Sequence, residues 1–410
     1  MTAKKVKKVR YYIFLKDVLI LAVSAFGGPQ AHIALFFERL CSKRAYITEE
    51  ELIELNALCS ILPGPTSTQT ITAIGYKIGR AKLAYLTLLV WVIPAGSVMI
   101  LLGIMMAYIE VNQGSLAFTR FIKPMAVAII AFAAYKISSK VISTKTGLTL
   151  MVISALLAYI IVYFWGTHII SAMAFPLMLC IGGLITSLKF NQHPKMDSRE
   201  KLNIDWKNFF LYIGVFVAAL VIGNITSIIY IKLFENFYRN GSMIFGGGQV
   251  LIPLLQAEFV DYKSYLSDDQ FLSGLGFVQA MPGPVFSLCG YIGSLSAEQY
   301  GPIGQVLGGL VALAGVFLPG TFLIFFVYNF WQGLKKYRII RASLEGINAV
   351  GSGLVAAAAV ILFGKLGIQY ESTADYIDVA VVGVTFMIML WGKIPTPIII
   401  FSGIVAGLIF

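Results

Sequence analysis

Three stretches of this chain, Leu83–Ile109, Thr146–Trp165 and Phe209–Ile231, contain no charged residue at all. Each is long enough to cross a bilayer, because a helix rises about 1.5 Å per residue and some 20 residues span roughly 30 Å of hydrocarbon. A soluble fold offers no place to bury several such blocks. The composition agrees: of 410 residues, 58% are hydrophobic and 12% charged, against about a quarter charged in an ordinary soluble domain. The expected fold class is an all-α, polytopic integral membrane protein.

The formal net charge is +11, but the Lys and Arg residues lie in short clusters between apolar blocks and form no continuous basic stripe. They read as topology signals, and nucleic acid is not an expected partner. The four cysteines (Cys41, Cys59, Cys180, Cys289) show no metal spacing, and with three histidines in the chain no metal site or cofactor is expected. There is no GxxxxGK[ST], GxSxG or HExxH motif, so neither ATP hydrolysis by a phosphate-binding loop nor another enzyme activity is expected. The basic stretch Lys4–Arg10 before an apolar run looks like a signal peptide, but Lys16 and Asp17 interrupt the run, and the segment is expected to stay attached.

The chain contains a duplication. Phe26-Gly27-Gly28-Pro29-Gln30 and Phe245-Gly246-Gly247-Gly248-Gln249 share four of five residues at an offset of 219. Pro63-Gly64-Pro65 and Pro282-Gly283-Pro284 have the same offset, as do Tyr46 and Tyr265. Further on, Pro94 pairs with Pro319 and Ala126-Val127 with Ala349-Val350, at slightly larger offsets. Duplication of this kind is common in transporters.

Between the copies lie a polar linker and the apolar segment Phe209–Ile229, which has no counterpart in the first half. One extra crossing inverts the second copy. With the N-terminus in the cytoplasm, the clusters Lys136/Lys140/Lys145, Lys189–Lys207 and Lys335–Arg338 all fall inside, as the positive-inside rule requires, and only Arg120 and Lys123 dissent. The expected domains are a first repeat at 1–189, a linker with an inverting helix at 190–229, and an inverted second repeat at 230–410. Each motif segment, about 11–40 and 48–79 in the first copy, is expected to be two short helices around a break that either re-enters or crosses.

Helix breakers inside apolar segments survive in lipid only where they are buried in protein or face a cavity. A helix starting at such a break exposes unpaired N–H groups and a partial positive charge, which favour an anion. One charge at the bilayer centre costs about 3 kcal/mol or more and a helix terminus returns about 0.3–1, so directed donors must add to the dipoles. The expected substrate-binding set is Gly27, Gly28, Gln30, Gly64, Pro65, Thr66, Ser67, Thr68, Gly246, Gly247, Gln249, Gly283, Pro284 and Ser287. Val285-Phe286 replaces Thr66-Ser67 in the second copy, so the site should be lopsided. His32, just past the first break, is a candidate pH sensor, and Gly304xxxGly308 reads as a helix-packing motif.

These motifs, Phe26–Gln30, Leu62–Gln69, Phe245–Gln249 and Met281–Pro284, resemble the signatures of the chromate ion transporter family, in its long-chain two-domain type, across both halves. The resemblance implies a multi-pass protein of the bacterial inner membrane that exports chromate, a divalent tetrahedral oxyanion shaped like sulfate. The alternatives are a sulfate-like oxyanion importer or exchanger and a passive anion channel. The expected partners are the oxyanion and the lipid bilayer, and a homodimer is compatible with the sequence.

Overall fold

A computed structural model of the chain describes residues 11–111, 117–142, 144–165, 169–188, 206–244, 250–328, 330–331, 338–369, 372–392 and 394–409. No strand occurs among them. The first copy holds α1 (Tyr11–Ser24), α2 (Gly28–Phe36) running into a π turn (Phe37–Lys43), α3 (Glu49–Ile61), α4 (Thr66–Val111), α5 (Ile122–Val141), α6 (Lys145–Trp165) and α7 (Ile169–Ser187). The segment between the copies contributes α8 (Lys207–Ile225). The second copy follows with α9 (Ile229–Met243), α10 (Leu251–Leu255) with its π turn (Gln256–Tyr262), α11 (Asp268–Ala280), α12 (Leu288–Leu295), α13 (Gly301–Val327), α14 (Arg338–Gly364), α15 (Thr373–Trp391) and α16 (Thr396–Ile409). Among the described residues, six segments, built on helices α4, α5, α6, α13, α14 and α15, are long and apolar enough to cross a membrane. The chain is a polytopic helical membrane protein.

The shared offset recurs in local structure. Thr48 caps α3 and Ser267 caps α11, each with a complete capping box closed by Glu51 and Gln270. The two π turns match residue for residue, and each is followed by a non-glycine residue in the left-handed region, Ala45 at φ 52° and Ser264 at φ 51°. Copy-specific chemistry ends the likeness. The first PGP opens straight into α4, whereas the second passes through a 3-10 turn, Val285–Ser287, before α12. Non-helical backbone at Gly79 and Arg80 divides α4 into limbs at 66–78 and 81–111. Helix α8 stops at Ile225, short of the expected Ile229, and α9 restarts at Ile229 as the equivalent of α1.

The halves interlock. Helix α14 of the second copy packs on α5, α6 and α7 of the first, while α5 packs in turn on α14, α15 and α16. Small residues permit the approach: Gly182 and Gly183 on α7 meet Gly346 and Ile347 on α14, and Gly353 lies against Ser154 on α6. The Gly346 N–H donates to Thr186 Oγ1 at 3.1 Å, and the Ser138 and Ser352 hydroxyls are 2.8 Å apart. In the Gly304xxxGly308 motif, Gly308 touches the Gly293 carbonyl of α12, while Gly304 meets Tyr300 and, on α9, Tyr230.

Polar contacts gather at the helix ends. Glu51 and Lys77 pair at the bend of α4, near where Tyr76 meets Tyr328 after α13. At the other end of α4, Glu110 accepts from Gln270 Nε2 at 2.5 Å. Lys123 pairs with Asp269 at 2.7 Å, and Lys365 with Asp268 at 2.7 Å and with Asp261. Gly346 is the tightest point of the interlock, since a Cβ there runs into the Gly182 carbonyl oxygen. Gly346→Val is expected to destabilise the detergent-solubilised protein by about 2–3 kcal/mol, read as a lowered melting temperature, whereas Gly383→Val, at an open position, leaves it unchanged.

Candidate functional site

Both copies break their apolar hairpins with glycine in the left-handed region. Gly27 and Gly28 have φ of 92° and 77°, Gly64 of 121° and Gly283 of 108°, values that side chains rarely tolerate. At the first break α1 ends, Ala25 and Phe26 turn the chain, and α2 starts at Gly28 with Gly27 as its N-cap and no side chain capping it. The helices that start at the polar ends, α3, α11 and α15, carry full capping boxes; α2, α10 and the turn after Pro284 carry none. Among the described residues no side chain caps the start of α2, of α10 or of the turn after Pro284.

The breaks are joined crosswise. The Gly64 N–H donates to the Ile244 carbonyl at 2.7 Å, and the Gly283 N–H donates to the Ala25 carbonyl at 2.8 Å. Ala25 and Ile244 are equivalent positions, each just before its FGG motif, and Gly64 and Gly283 are equivalent in PGP. Each PGP therefore bonds the FGG segment of the other copy, and the exchange is reciprocal, as at a two-fold axis. Packing repeats the crossing: Gly64 sits against Gly320, which follows Pro319 in α13, and Gly283 against Ala95, which follows Pro94 in α4.

Around the first PGP the polar side chains are already engaged. His32, 1% exposed, places Nδ1 3.0 Å from Ser67 Oγ and Nε2 3.1 Å from the Ala25 carbonyl. Trp91 Nε1 donates to Thr68 Oγ1 at 3.1 Å and packs edge-on against both His32 and Phe36. Gln69 donates to the Pro63 carbonyl at 2.6 Å with its amide lodged between Gly64 and Gly320, and its Oε1 has no partner among the described residues. The second PGP differs. Ser287, equivalent to Thr68, is fully buried with no partner for its hydroxyl among the described residues, and Pro282 and Gly283 are half-buried.

Of the expected binding residues, Gly64, Pro65, Thr66, Ser67 and Thr68 thus gather at the start of α4, and Gly283, Pro284 and Ser287 at the start of the turn before α12. Gly27, exposed, and Gly28, half-buried, lie at the start of α2, beside Ala25, which receives the Gly283 bond. Gln30 falls in the first turn of α2, and its side chain lies outside the described part of the structure. Gly246, Gly247 and Gln249 also lie outside the described residues. The hydroxyls of Ser67 and Thr68, expected to be open to an anion, are spent on His32 and Trp91. Trp91 and Gln69 escaped the expected set; Gln69 stands inside the Leu62–Gln69 motif, while nothing in the sequence ties Trp91 to Thr68.

Two buried ion clusters hold the hairpins, with opposite polarity. In the first, Asp17 on α1, fully buried, takes Arg39 at 2.7 Å, Arg44 at 2.8 Å and the Tyr46 hydroxyl at 2.7 Å. In the second, the acid is Glu258 on the π turn, which takes Arg239 of α9 at 2.5 Å, Asn240 at 2.6 Å and Lys263 at 3.0 Å. Asp17 and Arg39 are replaced at the equivalent positions by Asn236 and Glu258. A carboxylate in such surroundings is stable only while its cations stay in place.

A helical membrane bundle whose interrupted hairpins bring their helix starts together inside the protein is a transporter architecture. Comparison with known proteins gives the kind: the chain belongs to the chromate transporter family, whose profile matches residues 13–187 and 231–408. A probable chromate transport protein of Synechococcus elongatus is 25% identical, the alignment covering 100% of this chain and 96% of that protein. A chromate transport protein of Cupriavidus metallidurans is 24% identical over 95% of this chain and 91% of its own length. An uncharacterized transporter of Bacillus subtilis is 25% identical over 44% of this chain and 96% of its own length. No solved structure matches the chain.

Asp17→Asn strands Arg39 and Arg44 and is expected to cost about 3 kcal/mol, seen as an earlier thermal transition of the purified protein. Adding Arg39→Glu, which copies the polarity of the second cluster and gives Arg44 a new partner, should recover part of that loss; no recovery would remove the ion cluster from the account of hairpin stability.

Proposed function

We propose that this protein is a secondary transporter that carries chromate, a divalent tetrahedral oxyanion, across the bacterial inner membrane by alternating access, with export as the direction the family implies. The crossed backbone bonds Gly64–Ile244 and Gly283–Ala25 carry the reading, because they bring helix starts of both copies to one shared place in the core. Uncapped N–H groups there supply directed donors and the positive ends of helix dipoles. The relatives from Synechococcus elongatus and Cupriavidus metallidurans, matched over nearly their whole length, are named for chromate transport.

The two copies act as inverted repeats, 1–189 and 230–410, with α8 as the inverting crossing. Several contacts support this. The α3–α4 hairpin closes on itself through Glu51 and Lys77 at the bend of α4, so it dips in and returns to one end of the bundle. The equivalent α11 starts instead at the opposite end of α4, where Gln270 meets Glu110. Lys123, a dissenter from the loop-charge rule, faces Asp269 of the second copy, and the local charge there is answered. Rocking of one copy against the other about the crossed breaks opens the anion site to each side in turn.

The test uses the purified full-length protein in liposomes with labelled chromate and, in parallel, sulfate. A carrier gives saturable uptake and counterflow; unsaturated flux down the electrical gradient would establish a channel instead. Gly64→Val and Gly283→Val, each placed at positive φ and against a neighbour, are expected to cut chromate flux more than about tenfold while inserted protein persists, because a β-branched residue is strained there. Unchanged uptake in both variants would take the breaks out of the mechanism.

A further inference from the structure

His32 and Ser67 form a polar pair present in only one copy of the repeat. At the same offset the second copy has Leu251 and Phe286, both fully buried. Hydrocarbon therefore suffices to fill this place, and the imidazole answers some need other than packing. It also sits at a junction: the Ala25 carbonyl that accepts from His32 Nε2 is the one that accepts from the Gly283 N–H of the second copy. One ring thus touches the first break, the start of α4 and, through a shared acceptor, the second PGP.

The hydrogen-bond chemistry is fixed at one ring nitrogen and free at the other. A carbonyl only accepts, so Nε2 carries a hydrogen toward Ala25. A hydroxyl both donates and accepts, so Nδ1 can face Ser67 Oγ in either sense at the same 3.0 Å. With a neutral ring, Ser67 donates its hydrogen to Nδ1. With a proton on Nδ1 the ring donates, and the Ser67 hydrogen is released to turn elsewhere. No heavy atom has to move between the two states. Ser67 is the second residue of α4, where the first N–H groups have no helical acceptor, so a freed hydroxyl hydrogen and a new positive charge both arise at the helix start.

We propose that His32 links proton uptake to oxyanion binding: one proton taken from water onto Nδ1 reverses the His32–Ser67 hydrogen bond, and the imidazolium with the released Ser67 hydroxyl completes the site for a dianion at the start of α4. The inference rests on the oxyanion reading given above. Nothing covalent is made or broken on the anion, and the proton leaves with it. Among the described residues the groups facing the ring are the Ala25 carbonyl beyond α1, Ser67 and Trp91 of α4, and Phe36 of α2 itself, and none of these is charged. On the elements packed around it, Asp17 of α1 and Arg39 of the π turn are paired with each other, Glu38 with Lys43, and Lys77 with Glu51. Arg80 and Lys82 lie at and beyond the bend, about four helical turns along the chain from Ser67. The charge on His32 is therefore free to answer the anion.

The wild-type protein decides first. Chromate binding is measured by calorimetry at mildly alkaline pH, where chromate is fully a dianion, in two buffers of different ionisation enthalpy. Uptake of about one proton per chromate is expected, with apparent affinity falling about tenfold per pH unit as pH rises. Binding without proton uptake overturns the inference and leaves the transporter reading standing; no binding at all overturns both. His32→Gln, which can still donate to Ala25 and accept from Ser67 but cannot take up a proton, is expected to bind chromate at least about tenfold more weakly than the wild type, with no proton uptake and a flat pH profile. If that variant does not insert, His32→Asn, which keeps Ser67 and an uncharged amide at this place, is read the same way. Proton uptake that survives in either variant assigns the coupling to another residue and sinks the proposal.

Discussion

A helix interrupted inside hydrocarbon leaves N–H and C=O groups that no water can reach, each worth several kcal/mol if left unpaired. This structure meets that demand by exchange between copies. The Gly64 N–H finds the Ile244 carbonyl and the Gly283 N–H finds the Ala25 carbonyl, so neither copy completes its own break. Glycine is required at these points for two reasons at once: φ lies in the left-handed region, and Gln69 or Ala95 stands against the place a side chain would take. The same dependence extends outward, where α14 fills the space between α5, α6 and α7. Interlocking makes the duplication one folding unit.

Within that frame the copies hold their hairpins with unlike chemistry. The acid is on α1 in the first and on the π turn in the second, yet each cluster spans the same two elements. A buried ion pair contributes little net stability over an apolar contact, but losing one partner is costly. Such a pair fixes which helix turn meets which, and here it holds the hairpins that carry the FGG motifs. Because the constraint concerns geometry and not sign, the polarity can invert between copies while Tyr46 and Tyr265, the capping boxes and the π turns stay in register.

The helices were readable where sequence carries their cause. Apolar blocks marked α4, α6 and α8, and FGG and PGP marked the breaks. Side-by-side packing was not readable. Lipid is as apolar as a protein core, so hydropathy does not say which face of a helix meets a neighbour. Helices α6 and α13 are both strongly apolar, yet most of α13 is buried and most of α6 is open. The site residues were likewise found where backbone breaks announced them, while the pairings Trp91–Thr68, His32–Ser67 and Asp17–Arg39 join elements whose meeting no local pattern encodes. Asp17 did leave a trace, as the charge that interrupts the first apolar run.

Departure from symmetry is where chemistry enters a duplicated scaffold. Were the copies identical, a dianion on the pseudo-axis would meet the same donors from both sides, and no group would distinguish a loaded site from an empty one except by the fixed dipoles of the helix starts. Dipoles of about half a charge each are always present and cannot be switched off for release. A group whose charge changes can be. In the coupling proposed above that group is His32, bonded to the acceptor that the second copy's Gly283 also uses, while the second copy keeps hydrocarbon at the same place. Under the proposed coupling, a variable charge stands beside fixed helix starts, and the affinity of the site changes by protonation while the rocking of the copies sets which side it faces.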